Sequence, residues 1–147
     1  MNLTEHFTLE ELLFSQTAVR QRIDNTPSGD VVANLTKLAS MSEEVRALLG
    51  APLIISSGYR CPALNAAVGS SSTSHHLLGG AADFTCPAFG KPLAVAKKIA
   101  ESEIPFGQLI HEFGAWVHIS ILPVGKINRI ITIDRNGTRP GLWEVTP

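Results

Sequence analysis

The chain has 147 residues and a formal net charge of −1, and 44% of its residues are hydrophobic while 17% are charged. This composition is typical of a globular protein, and the length predicts one domain over residues 1–147. The sequence has no basic stripe and no long apolar run, so we expect neither nucleic-acid binding nor a membrane-spanning helix. The opening "MNLTEHFTLEE" lacks the apolar region of a signal peptide, so we expect synthesis in the cytoplasm.

Helices are expected in the first part of the chain. Thr8 and Glu11 form a capping box before an apolar run, which predicts a short helix there. Apolar residues recur at helical spacing from about residue 30 to residue 49, and Gly50 ends this long amphipathic helix. A further helical turn is predicted from residue 62 to residue 68, because proline suits the first position of a helix.

The strands are interleaved with the later helices. The segments "LIISS", "AADF", "QLIHE", "WVHIS" and "RIITID" have the composition of strands, and Pro92 opens a helix between the second and third of them. The segment "GSSSTSHHLLGG" is rich in serine and glycine, which predicts a loop without regular structure. The short turn "FGA" allows a hairpin. We therefore predict an α+β domain with an antiparallel sheet of about four strands and helices packed mainly on one face.

Histidine and aspartate side chains in this pattern indicate a metal site. Imidazole is the commonest metal ligand near neutral pH, and a carboxylate adds an anionic oxygen. In "TSHHLLGGAADF" the glycine pair lets a loop histidine, His75 or His76, fold back towards Asp83 on the following strand. On a later strand His118 shares a face with Trp116. Two histidines and one carboxylate match a catalytic zinc site whose fourth position is open to water.

The motifs resemble those of a known family. The segment "SHHLLGGAAD" resembles the S-x-H-x-x-G-x-A-x-D motif of the zinc D-Ala-D-Ala carboxypeptidase and L-Ala-D-Glu endopeptidase family. "WVHIS" resembles the second motif of this family, and "SGYRCPALN" resembles its segment with a substrate-binding arginine. The segments "EHFTLEELLFSQTA" and "IDNTP" resemble the N-terminal part of small phage-encoded members. The resemblance covers most of the chain, with its motifs in the family order.

The resemblance implies a hedgehog/DD-peptidase-like fold and a Zn²⁺ ion bound by three residues. In the register of the motif these ligands are His76, Asp83 and His118, and His75 is left out. The implied activity is hydrolysis of peptide bonds in peptidoglycan stem peptides.

Three further residues are implied to contact substrate. Arg60 would pair with a substrate carboxylate or steady the developing oxyanion, since a planar guanidinium suits either task. Ser74 would hold substrate, and Trp116 would line the cleft or support the ligands.

The general base is where the sequence departs from the family pattern. Many relatives carry an acidic residue or a histidine three positions before the last ligand, and here that position is Ala115. The candidates are Glu112 and His111. A three-residue turn pairs Glu112 with Trp116 and places it on the face of His118, whereas a two-residue turn pairs His111 with His118. We favour Glu112, because a carboxylate is the usual base in zinc peptidases.

Three hypotheses for the function follow. The first is a monomeric zinc peptidase from a phage, which cuts peptidoglycan during host lysis or wall penetration and so acts in the periplasm. The second is a catalytically inactive zinc-binding homologue that serves as a virion or wall-binding module, and Ala115 is its main support. The third is a metal-dependent hydrolase of another substrate. The sequence does not choose between the D-Ala-D-Ala and L-Ala-D-Glu bonds.

Overall fold

The computed structural model describes residues 1–125 and 127–145. Its first fifty residues are mainly helical, and the strands follow, with shorter helices between the first three of them. The helices are α1 (Leu9–Leu13), α2 (Gln16–Gln21), α3 (Gly29–Leu49), α4 (Pro62–Ala67), a 3-10 helix (His75–Leu78) and α5 (Pro92–Ala100). The strands are β1 (Ile54–Ser57), β2 (Ala81–Thr85), β3 (Gln108–Glu112), β4 (Trp116–Ser120), β5 (Arg129–Asp134) and β6 (Gly137–Pro140).

The caps of the first helices explain where they begin and end. At α1 the predicted capping box is confirmed, since the Thr8 hydroxyl accepts from the Glu11 amide and the Glu11 carboxylate accepts from the Thr8 amide. The backbone then becomes extended at Phe14, and Ser15 caps a separate helix, α2. Helix α3 ends at Gly50 in the left-handed conformation, as predicted.

One predicted loop contains regular structure. The segment expected to be irregular includes the 3-10 helix, which is a single tight turn. The Ser74 hydroxyl accepts from the His76 amide at its start, and Gly79 with a φ of +73° ends it. A serine cap and a terminal glycine are sufficient for one 3-10 turn, so a segment rich in these residues does not exclude it.

The strands form one mostly antiparallel sheet. Within the described residues the order is β1-β2-β4-β3-β5-β6, and only β3 and β5 run parallel. The α+β class is therefore confirmed, with six strands where about four were expected. The additional strand β6 is exposed along its whole length and contains glycine and proline, so its sequence carries no strand signal.

The two faces of the sheet have different roles. On one face, side chains from β2, β3 and β4 pack against α3 and α5 in the hydrophobic core. The main contributors are Leu35, Leu38, Phe84, Val95, Ile99, Leu109, Val117 and Ile119. Because neighbouring residues in a strand point to opposite faces, Asp83 and His118 face away from this core.

Two smaller features complete the fold. Cys61 and Cys86 are free thiols. No helix in the described part of the chain is long and apolar enough to cross a membrane.

Candidate metal centre

Two strands and the 3-10 helix bring His76, Asp83 and His118 together. Asp83 on β2 is paired directly with His118 on β4, so their side chains lie side by side. The Asp83 Oδ1 atom lies 3.2 Å from His76 Nε2 and 3.0 Å from His118 Nδ1. All three residues are buried, and their potential ligand atoms lie within 4.8 Å of one another.

The hydrogen bonds of the outer ring nitrogens orient both imidazoles. His76 Nδ1 lies 2.6 Å from the Gly58 carbonyl, which can only accept, so this nitrogen carries the hydrogen. His118 Nε2 lies 3.1 Å from Gln108 Oε1. Neutral rings in these tautomers direct a lone pair from His76 Nε2 and from His118 Nδ1 towards Asp83.

This arrangement fits a metal ion. A lone pair facing a carboxylate oxygen at 3.0–3.2 Å is favourable only with a proton or a cation in between. Tetrahedral zinc with bonds of about 2.0–2.1 Å places neighbouring donor atoms roughly 3.3 Å apart, which matches the distances here. His76, Asp83 and His118 are therefore able to hold a divalent ion.

The protonation state of Asp83 suits that role. Burial raises the pKa of this carboxyl, but its contacts with His118 and His76 lower the pKa further. The net result is a pKa well below the ordinary value, so Asp83 is an anion at neutral pH.

The backbone at Gly58 helps to place His76. Leu12 of α1 packs so closely on Gly58 that a side chain there would collide with the Leu12 carbonyl. The neighbouring Tyr59 amide donates to the same carbonyl at 2.8 Å. The docked α1 helix thus fixes the segment whose carbonyl accepts from His76.

The cluster of His76, Asp83 and His118 lies in an open cleft of about 360 Å³. The cleft brings together the residues that the sequence analysis favoured as metal ligands, substrate contacts and general base. Beside the cluster, the lining includes Arg60, Ser74, Glu112 and Trp116.

Arg60 holds a positive charge in the cleft. Its Nη2 lies 3.4 Å from the hydroxyls of Ser70 and Ser74, and its Nε has no hydrogen-bond partner within the described residues. Of the ion pairs between described side chains, none includes this guanidinium. Two serine hydroxyls therefore orient Arg60 without neutralising it, which leaves its charge for a ligand.

Glu112 lies next to the cluster because of the turn between β3 and β4. Glu112 is paired with Trp116, which is the register of the three-residue turn. Its Oε1 lies 3.7 Å from His118 Nδ1. Burial first, and then the charge of Asp83, raise the pKa of Glu112 to about 7 against the opposing effects of His118 and Arg60. The carboxyl can therefore bind and release a proton near neutral pH.

The other two histidines near the cluster do not join it. His111 lies on the opposite face, where its Nδ1 is 3.1 Å from the Trp143 carbonyl oxygen. His75 Nδ1 lies 2.7 Å from the Ser120 hydroxyl. The two-residue turn that would have brought His111 to His118 is therefore not formed.

Trp116 forms a wall of the cleft beside Phe113, with 5.5 Å between the ring centroids. Its indole Nε1 is buried and has no hydrogen-bond partner among the residues described. An indole N–H in this position is available to a bound molecule.

Gln108 and Gly58 are the contributors that sequence reasoning missed. Gln108 shares its face of β3 with Glu112. A polar residue on the same face of the strand as the candidate base is the one sequence signal for its role. Gly58 contributes only its backbone carbonyl, and a backbone contact cannot be recognised from the type of residue.

An open cleft with two histidines and one carboxylate able to hold a metal ion is typical of metal-dependent hydrolases. A model of the Peptidase M15 family matches residues 5–120. This match covers most of the chain, including the whole cluster, and the chain belongs to this family. The resemblance seen in the sequence is thus confirmed. A comparison with curated proteins gives no match.

Proposed function

We propose that the protein is a zinc peptidase that hydrolyses peptide bonds in peptidoglycan stem peptides. One observation carries this proposal: the cluster of His76, Asp83 and His118 shares a cleft with a carboxyl group, Glu112, whose pKa is close to neutral. Membership of the Peptidase M15 family supports the same activity.

The residues of the cleft divide the chemistry among them. His76, Asp83 and His118 would hold the ion, which when bound supplies a Lewis acid that polarises the scissile carbonyl and acidifies water. Glu112 accepts the proton of the attacking water and returns it to the leaving amine. Glu112 is placed for both transfers, since its carboxylate lies 3.7 Å from Nδ1 of His118, beside the position where the ion would be held.

Arg60 and Trp116 act on the substrate. The guanidinium of Arg60, oriented by Ser70 and Ser74, pairs with a substrate carboxylate or with the developing oxyanion. Ser74 holds Arg60 in place as well as lying on the cleft surface. The Trp116 ring confines the peptide on the side of the β3–β4 turn.

The biological setting that we propose is a phage protein that acts as a monomer on the peptidoglycan of its host, in the periplasm. The N-terminal segments that resemble small phage-encoded members support this setting.

A second candidate function is a wall-binding module without catalytic activity. The observation that favours it is Ala115, which stands where many relatives carry an acidic residue or a histidine. In this case the cluster would stabilise the fold or the bound wall fragment without turnover.

Digestion of purified peptidoglycan distinguishes the two functions. The protein is incubated with peptidoglycan as purified, after treatment with a chelator, and after zinc is added back, and the released peptides are identified by mass spectrometry. We expect cleavage that is lost with the chelator and restored by zinc. Zinc-loaded protein that sediments with the wall but releases no peptide would contradict the first function and support the second.

A further inference from the structure

A second cavity continues from the cleft on the side of Arg60. It has a volume of about 450 Å³, which is larger than the cleft around the cluster. The two cavities share Arg60 and Val68 in their linings. We call it the Arg20 cavity, because Arg20 is the other arginine that lines it.

Strand β1 and the beginning of α2 form the walls of the Arg20 cavity. Besides the arginines, the lining is rich in small polar side chains, among them Thr17, Ser56 and Ser57. Strand β1 stands at the edge of the sheet, and edge strands are where extended peptides add to a sheet. The shape and the hydroxyl groups therefore suit a peptide chain.

The charge of this cavity is positive. Arg20 and Arg60 line it, and no carboxylate of the described residues does. Among ion pairs in the described part of the chain, none involves Arg20. A cavity with two guanidinium groups, neither in a direct ion pair with a described side chain, favours a ligand that carries carboxylates.

The position of Arg60 bears on which bond is cut. An enzyme that removes a terminal residue needs a wall directly behind that residue, with a cation that binds the terminal carboxylate. Here the cation lies on the border between two cavities, and the larger space lies beyond it. A chain whose carboxylate pairs with Arg60 can therefore continue past this residue.

We propose that the Arg20 cavity binds the continuing chain of the substrate, so that the protein cuts an internal peptide bond next to a residue with a free carboxylate. This inference rests on the proposed peptidase function. Of the two stem-peptide bonds, L-Ala-D-Glu meets the requirement, because a D-Glu linked through its side chain keeps its α-carboxylate while the chain continues. The D-Ala-D-Ala bond is followed by the chain end and leaves the Arg20 cavity empty.

The products of one synthetic substrate test the inference. The substrate is the N-acetylated pentapeptide L-Ala-γ-D-Glu-meso-diaminopimelate-D-Ala-D-Ala, incubated with the zinc-loaded protein and analysed by mass spectrometry. We expect N-acetyl-L-Ala and a tetrapeptide. Release of free D-Ala alone would overturn the inference and leave the proposed function intact. Absence of any cleavage would overturn both.

Variants of α2 test the cavity itself. Gln16 and Gln21 are both exposed residues of this helix, but only Gln16 lines the cavity. Gln16→Trp should lower kcat/KM for the pentapeptide by about tenfold more than for the truncated substrate N-acetyl-L-Ala-γ-D-Glu, because only the longer substrate fills the cavity. Gln21→Trp should leave this ratio unchanged. Equal ratios in the two variants would overturn the proposal.

A charge variant gives an independent readout. In Arg20→Gln the affinity of chelator-treated protein for the pentapeptide should fall several-fold, as measured by calorimetry. Arg22→Gln removes the same charge two residues later, outside the cavity lining, and should bind the pentapeptide like the wild type. A loss of affinity that is the same in both variants, or in neither, would count against the Arg20 cavity as the binding site.

Discussion

The Glu112 carboxylate lies 3.7 Å from Nδ1 of His118, on the sheet face that carries the cluster. The three-residue turn between β3 and β4 produces this contact, since it pairs Glu112 with Trp116. A carboxyl group and a nitrogen that could hold a metal ion are thus adjacent, but at 3.7 Å they are too far apart for a direct hydrogen bond.

Replacement of Glu112 by glutamine should abolish most of the activity while the ion stays bound. The amide has the same shape but cannot accept a proton, and loss of a general base typically costs about 10²–10⁴-fold in rate. We expect a fall of kcat by this factor on purified peptidoglycan, with the zinc content unchanged by atomic absorption.

Glu103→Gln is the matched control, because Glu103 is exposed and lies outside the cleft lining. This variant should hydrolyse peptidoglycan at the wild-type rate. If Glu112→Gln and Glu103→Gln had the same activity, Glu112 would not be the base.

Gln108 should affect the affinity for the metal ion without binding the ion itself. Its side-chain oxygen lies 3.1 Å from His118 Nε2 and holds the ring in the tautomer that presents Nδ1 to the cluster. Loss of such an outer hydrogen bond typically weakens metal binding by about 10–100-fold. We expect this loss in Gln108→Ala, measured by competition with a chromophoric chelator. Gln21→Ala should retain wild-type affinity, and a Gln108→Ala variant with unchanged affinity would show that the contact does not orient the ring.

The sequence predicted the elements whose signals are local. The capping box at Thr8 and the glycine after α3 are chemical requirements of a helix end, so they can be recognised without the tertiary structure. Strand β6 could not be predicted, because its exposed residues have low strand propensity and are held by pairing with β5. The 3-10 helix was missed because a single capped turn has no periodicity.

For the site, the motif supplied the cluster residues but not the hydrogen bonds around them. The turn decided between Glu112 and His111, and the sequence allowed both turn lengths because they differ by one residue. Phe113 and Gly114 both have positive φ values in the three-residue turn that is formed. The acceptors for the rings, Gly58 and Gln108, come from other segments that meet only in the folded chain.

His111 should be dispensable for catalysis. Its ring lies on the opposite face of the sheet and its Nδ1 faces the Trp143 carbonyl. His111→Gln keeps a donor for this contact and should retain activity within a few-fold, at a stability cost of about 1 kcal/mol. Activity of this variant is compared with Glu112→Gln on the same peptidoglycan. A rate as low as that of Glu112→Gln would show that catalysis also requires His111.

The stability of the metal-free protein should depend on pH through Glu112. Its pKa in the folded chain is about 7, raised by burial and by Asp83, against 4.5 for an ordinary glutamate. Because the folded state binds this proton more tightly, the stabilisation is complete below pH 4.5 and is lost as the pH rises through 7. Glu112→Gln cannot ionise and escapes this loss. We therefore expect the melting temperature of the chelator-treated variant, relative to chelator-treated wild type, to be higher at about pH 8 than at about pH 5. A difference between the two proteins that stays constant with pH, in calorimetry or circular dichroism, would mean that Glu112 ionises as freely as an exposed glutamate.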